Sequence, residues 1–227
     1  CQCVCRWTGS DRSGDLMSGT SDTLQGWQQA ARTAFAAALD AGHPARLTSD
    51  AVAELATPVS AIIAIGKAAA AMAIAARDFE RESGRESGHD FSAINPEVPG
   101  IIVTNDENFV VVDGMECHAS AHPVPDERGL VAANAVTQMA KNLTGHDHLL
   151  LLNSGGGSAL LPAPVPGVSL AEKQKLYEAL LASGMDIQQL NAIRPPFSTL
   201  KGGRLARLAQ PAKITQLLLS DVPEDPL

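Results

Sequence analysis

The stretch Leu149-Leu150-Leu151-Leu152-Asn153-Ser154-Gly155-Gly156-Gly157-Ser158 reads as a strand that ends in a glycine turn. Four consecutive leucines leave no polar face, so the strand is of the kind buried on both sides of a parallel sheet. The three glycines that follow let backbone N–H groups crowd around one point without Cβ interference, which makes a nest for an oxyanion. A flexible turn is the simpler reading, but it needs only one or two glycines, and each costs conformational entropy. Ser154 and Ser158 flank the run and add hydroxyl donors. A parallel strand with an anion-holding turn at its C-terminal end predicts a doubly wound α/β domain.

Outward from this stretch, strands and helices alternate. Ala61–Ile65 is a second short apolar run, bounded by Pro58 and Gly66, and an Ala-rich helical stretch follows from Lys67 to about Arg81. Residues 83–90 read as an exposed loop, and Ile101–Thr104 and Phe109–Val112 as two further strands. Asp126 caps a helix with apolar positions Val131, Ala135, Met139 and Leu143. Nearer the N-terminus, Trp27, Ala30, Ala31, Ala34, Phe35, Ala38 and Leu39 recur at helical spacing, up to the Gly42–Pro44 punctuation. Beyond the glycine turn, Ser169 and Glu172 form a capping box that opens a helix carrying Leu176, Tyr177, Leu180 and Leu181. Helical segments through Gln188–Asn191 and Arg204–Ala209 lead to a last strand at Ile214–Leu219. The predicted class is α/β, a three-layer α/β/α Rossmann-like domain with a mostly parallel sheet.

The 227 residues are 45% hydrophobic and 19% charged, with mean hydropathy near zero (+0.02). That balance describes a soluble globular chain rather than a disordered one. A net charge of −8 with no basic stripe argues against nucleic acid as a partner. An anionic small substrate would need local cations. There is no apolar membrane span and no secretory core, so no membrane association and a cytoplasmic location are expected. Residues 1–22 are expected to be a disordered tail or an artefactual scar, with the domain at 23–227. Cys1, Cys3 and Cys5 lack a second Cys/His cluster and do not build a zinc site, and Met17 or a neighbour serves as the natural start. Cys117 is a single core cysteine. The chain stops after a strand and its turn, which reads as a truncation.

Four further motifs carry chemistry. Ile65-Gly66-Lys67-Ala68-Ala69 places a lysine at the mouth of a helix, where N–H groups and the helix dipole favour an anion. It lacks the Walker A frame, and a plain turn with a solvated lysine fits about equally well. Asn191-Ala192-Ile193-Arg194 and Lys201-Gly202-Gly203-Arg204 bring arginines and a lysine together, and arginine can clamp a carboxylate or phosphate with two parallel hydrogen bonds. Arg207 fits a basic helix face instead. In Ser220-Asp221-Val222-Pro223-Glu224-Asp225, Asp221 ends a strand where a carboxylate can hold Mg²⁺ against phosphates, whereas Glu224 and Asp225 suit a plain acidic turn. His122-Pro123-Val124-Pro125-Asp126 is a stiffened loop whose histidine either faces the site or serves as a structural hydrogen-bonder.

Together GKAAAAMA (66–73), HPVPDERG (122–129), NSGGGSALLPAP (153–164), EKQKLYEALLASG (172–184), NAIR (191–194), LKGGRLA (200–206) and SDVPEDP (220–226) resemble the N-terminal domain of glycerate 2-kinases of the MOFRL type, a family also labelled hydroxypyruvate reductase. The resemblance spans residues 24–226. It implies ATP-dependent, Mg²⁺-assisted phosphorylation of D-glycerate at its 2-hydroxyl to give 2-phosphoglycerate. It also implies a Rossmann-like large domain and a smaller C-terminal domain, expected but absent here, with the site in the cleft between them. By the resemblance, Lys67 is the essential lysine and Gly155–Gly157 the phosphate-binding turn. The motifs themselves add Arg194 and Lys201 as expected catalytic cations, Gly66, Ser154 and Ser158 as expected phosphate ligands beside Gly155, Gly156 and Gly157, Asn191, Arg204 and His122 as expected substrate ligands, and Asp221 as the expected metal ligand. The sequence departs from the family at Pro195-Pro196, which replaces a basic pair, at Ala121, which replaces a glycine, and at Asn105–Asn108. A homodimer is left open. A nicotinamide-dependent reductase is the alternative enzyme, but it would want G-x-G-x-x-G with an acidic residue about 20 positions on. A non-catalytic ligand-binding fragment is the third reading.

Overall fold

The structure, a computed structural model, describes residues 19–83 and 98–220. Helix α1 (Gly19–Ala41) forms a unit of its own, and the second compact unit begins at His43. The helix starts inside the segment expected to be a tail. Its apolar positions Leu24, Trp27, Phe35 and Leu39 are all exposed, Trp27 by 72%. Cys1, Cys3, Cys5 and Met17 lie outside the described residues, as do residues 84–90 of the expected loop.

The second unit is built on five parallel strands: β1 (Ala61–Ile65), β2 (Gly100–Thr104), β3 (Met115–Ala119), β4 (His148–Asn153) and β5 (Lys213–Leu218), in the order β3-β2-β1-β4-β5. The central strands β1, β2 and β4 are buried on both faces, as their apolar runs require, apart from Asn153 at the end of β4. Alternate residues point to opposite sides. Ile63, Ile65, Ile101, Val103, Leu149 and Leu151 pack against helix α4 (Glu127–Asn142), the one-turn α5 (Gly157–Leu160) and α8 (Arg204–Leu208). Ile62, Ala64, Ile102, Leu150 and Leu152 pack against α2 (Pro44–Ala53) and α3 (Ala69–Ser83). The result is the expected α/β/α sandwich with two apolar cores.

One strand was misplaced by the sequence. Phe109–Val112 is not a strand: Phe109, Val110 and Val111 are exposed, Val111 by 77%, in a loop that follows a 3-10 turn at Asp106–Asn108. The strand is Met115–Ala119, paired in parallel with β2 from Gly100↔Met115 onward. At a sheet edge a half-polar segment such as Met-Glu-Cys-His-Ala can serve, because only one side needs a partner. Helix α6 (Leu170–Ala182) carries the predicted capping box. Its buried residues, however, are Lys173, Tyr177 and Leu180, while Leu181 is exposed. Helix α7 (Ile187–Ile193) is opened by a second capping box, Asp186 with Gln189.

Among the described residues no helix is long and apolar enough to cross a membrane.

Candidate active site

The strand order makes the site. The chain builds β1, β2 and β3 in one direction across the sheet, then returns to place β4 and β5 on the other side of β1. The reversal falls between β1 and β4, and in such sheets ligands bind at the C-terminal ends of the strands flanking it. Both glycine turns of the sequence lie there. Gly66-Lys67 leaves β1 and Ser154–Gly157 leaves β4, whose register brings Ile65 opposite Asn153.

The two turns are locked together through backbone groups. Ser154 N donates to Ile65 O at 2.9 Å, Lys67 N to Gly155 O at 2.9 Å, and Gly66 N to Val103 O at 3.0 Å. Ser154 Oγ accepts from Ala68 N at 3.0 Å, so this serine ties turn to turn. Gly66 has φ +125°, and a Cβ there would overlap the backbone carbonyl of Ser154. Gly156 has φ +94°, and a Cβ on it would lie 3.2 Å from His122 Cδ2 and 3.4 Å from Lys67 Cγ. His122 and Lys67 therefore lean on the glycine turn from two sides. Among the described residues, the amides of Gly155, Gly156, Gly157 and Ser158 donate to no backbone carbonyl and face a cleft of about 670 Å³.

The cations converge on the same cleft. Lys201 Nζ donates to Gly157 O at 3.0 Å. Desolvation, helped by the positive charges of Lys173 and Arg194, pulls the Lys201 ammonium down to about 7. Arg194 follows α7, is 91% buried (9% exposed), and stands with its Cζ 4.8 Å from the centroid of the Tyr177 ring. Its buried Nε has no hydrogen-bond partner. Tyr177 is a residue that sequence reading took for plain helix stripe. Its hydroxyl donates to Ser158 O at 2.7 Å while its ring supports Arg194, so one side chain fixes both the glycine turn and the guanidinium. Only the burial of its neighbours could have signalled this.

The remaining predicted residues divide. Asn191 lines the cleft beside Arg194. His122 lines it too, held in place by Asp126, whose Oδ1 accepts from Ala121 N and Gly129 N at 3.3 and 3.2 Å. Burial, together with the charges of Lys67 and Arg194, lowers the His122 imidazole below its ordinary value despite Glu107, which favours its neutral form. Arg204 is not in the lining. Its Nη1 donates to the carbonyls of Pro195, Ser198 and Lys201 at 2.9, 3.1 and 3.2 Å, which braces the loop carrying Lys201. Asp221, Glu224 and Asp225 lie outside the described residues. No group of three or more His, Cys, Asp or Glu able to hold a metal occurs among the described residues, and the described lining has no carboxylate.

A site whose described lining holds three cations, four amides without a backbone acceptor and no carboxylate suits a phosphate or carboxylate. The family described as a domain of unknown function, DUF4147, matches residues 30–227. The chain belongs to the DUF4147 family. This DUF4147 chain is 57% identical over 104 residues to a glycerate kinase of Rattus norvegicus, covering 46% of this chain and 20% of that protein. It is 38% identical over 164 residues to an Agrobacterium vitis protein provisionally named a hydroxypyruvate reductase, covering 72% of this chain and 39% of the relative. Among solved structures it is similar to the glycerate kinase of Thermotoga maritima, with TM-score 0.68 and 37% identity over 80% of this chain and 41% of that one. The resemblance read from the motifs therefore holds. The DUF4147 chain spans between a fifth and about two-fifths of the length of these proteins.

Proposed function

We propose that this chain is the nucleotide- and substrate-binding domain of a glycerate kinase that transfers a phosphoryl group from ATP to the 2-hydroxyl of D-glycerate, giving 2-phosphoglycerate. The observation that carries the reading is the positive site at the strand reversal, with no carboxylate in its described lining: Arg194 with an orphaned buried Nε, Lys201 Nζ bonded only to the Gly157 carbonyl among the described residues, and Lys67 against the glycine turn. A buried guanidinium N–H without a partner, such as that of Arg194 Nε, is stabilised by a ligand that supplies the acceptor.

ATP fits this donor set. The amides of Gly155–Ser158 would hold phosphate oxygens, with Lys67 beside them as a point charge. Arg194, presented by Tyr177, offers two parallel donors to the glycerate carboxylate or a phosphate, and Asn191 orients the substrate next to it. Lys201 neutralises charge that grows on the transferring group. The neutral imidazole of His122 can take the proton of the attacking hydroxyl, which a protonated one cannot. Arg204 acts through the loop that it braces. Asp221 is assigned to Mg²⁺ from its place after the last strand alone. Bound Mg²⁺ would neutralise charge on the phosphates.

The test is a coupled ADP-release assay over several hydroxy acids, on a protein that contains this sequence within the full length of its relatives. ADP release dependent on glycerate is expected, and none above background with any divalent metal sinks the reading. The reductase reading keeps one support, the name of the Agrobacterium vitis relatives. Binding of NADH in preference to ATP would favour it.

A further inference from the structure

Lys173 has no place in the reading above, yet it is the most unusual side chain in the domain. It occupies the core-facing stripe of α6 with Tyr177 and Leu180, and it is fully buried. Its ammonium group meets no carboxylate. Instead Nζ donates to Phe197 O at 2.8 Å and to Pro162 O. An ammonium buried without a counter-ion costs several kcal/mol, which a methionine or leucine at this position would avoid.

The two carbonyls explain the cost. Pro162 follows α5, the turn of helix grown from the glycine nest. Phe197 lies between Arg194 and Lys201. The two segments meet as a strap: Thr199 N donates to Ala163 O at 2.8 Å, and Pro164 bridges Ser198. Ala163 sits at φ +34°, a conformation that non-glycine residues seldom adopt and that surrounding contacts must hold.

We propose that Lys173 is a positioning residue of the site: its ammonium group clamps the segment after the glycine turn to the segment bearing Arg194 and Lys201, and so sets the spacing of the anion cradle. This rests on the reading of the cradle as a phosphate and carboxylate site. A neutral amide also carries two N–H donors, but only the ammonium makes both bonds while adding the field of a full charge. The charged and titratable groups around Lys201 are Lys173 from α6 and Arg194 after α7, with Lys67 and His122 across the cleft. Of these, Lys173 and Arg194 disfavour a proton on Lys201, adding to its desolvation, and Lys173 itself is drawn down to about 8 by burial. The site is thus held short of one negative charge, which a bound anion restores.

The experiment needs no turnover. The full chain is labelled with trace acetic anhydride across pH 6 to 11, and acetylation of Lys201 is read by mass spectrometry. In the unaltered chain its midpoint is expected near 7, the value that its surroundings set. Lys173→Met should raise the midpoint by about one unit through loss of the like charge. Hydrogen exchange of residues 157–163 and 197–201 should rise together by tenfold or more, with α4 still protected. Lys173→Arg, which keeps the charge and the donors, should return the midpoint toward 7. If Lys173→Met does not fold, Lys173→Gln makes the same comparison, since it removes the charge and keeps a donor. A folded Lys173→Met with an unmoved midpoint and unmoved exchange overturns the proposal, as does an ordinary lysine midpoint for Lys201 in the unaltered chain. Sulfate separates the two readings. It should raise the Lys201 midpoint in the unaltered chain; no sulfate effect beside a shifted Lys173→Met midpoint would remove the anion reading and leave the clamp standing.

Discussion

Gly66 stands where the two glycine turns touch, and no side chain fits there. Its φ of +125° and the overlap of a Cβ with the Ser154 carbonyl both oppose substitution. Gly66→Ala is expected to lower stability by about 3 kcal/mol through strain and the displaced turn, measured by urea unfolding. Lys67 is different, because its side chain is exposed and ties nothing in the core. Lys67→Ala should leave the melting curve almost unchanged. In the full-length protein it should cost about 3 kcal/mol or more of transition-state stabilisation, seen in kcat/KM. Full activity would place Lys67 outside the site, and a large fall in melting temperature would make it structural. Tyr177→Phe removes one hydrogen bond to Ser158 O but keeps the ring under Arg194. It is expected to cost about 1 kcal/mol of stability. Tyr177→Leu, which loses both contacts, should weaken sulfate binding as well.

The buried lysines also fix a pH dependence. Folding lowers Lys201 to about 7 and Lys173 to about 8 from an unfolded value of 10.5, so between these limits the unfolded chain binds more protons. Stability from these groups therefore rises with pH from about 7 towards about 10. Urea midpoints at pH 7, 8.5 and 10 should climb, and Lys201→Met should flatten the climb. Sulfate affinity should run the other way, falling as pH passes 7 and Lys201 loses its proton.

At the scale of elements, the three central strands read correctly because their burial is two-sided. Ala61–Ile65, residues 101–103 and residues 149–152 are apolar throughout because helices cover both faces. The partly exposed edge strand Lys213–Leu218 was also read to within a residue, and the reading failed at the opposite edge. Val110 and Val111 have higher strand propensity than Glu116 or His118, yet the chain passes them through solvent and pairs the polar segment. Propensity decides little at an edge; what pairs is what the crossover delivers opposite Gly100. Val111→Asp is accordingly expected to change stability by less than about 0.5 kcal/mol, whereas Ile102→Ala should cost about 2–5 kcal/mol, both from urea unfolding. A large effect at Val111 would mean that this loop is covered in solution. Helix α6 taught the same lesson in reverse. Its capping box was legible as Ser169 and Glu172, but its buried stripe runs through a lysine, which no hydropathy pattern selects.

At the scale of the molecule, the alternation of apolar runs, glycine turns and capped helices determined the α/β class and the parallel sheet by itself, because these depend on local propensity and on burial of whole runs; the family came from the resemblance carried by motifs such as NSGGGSALLPAP and LKGGRLA. Gly155–Gly157 could be named as candidate site residues for a related reason: a glycine turn at a strand end carries its chemistry in its own backbone. The order of the strands was not legible. Only the return of the chain past β1 brings the Gly66 and Gly155 turns together at one reversal, and no local pattern encodes that choice. Nor could sequence separate Arg194, buried with a free Nε above Tyr177, from Arg204, which bonds three loop carbonyls. The two arginines look alike in the chain. Their surroundings differ because desolvation and partner geometry are properties of the packed neighbourhood, which residues such as Lys173 and Tyr177 supply by folding α6 back onto the segment of the glycine turn.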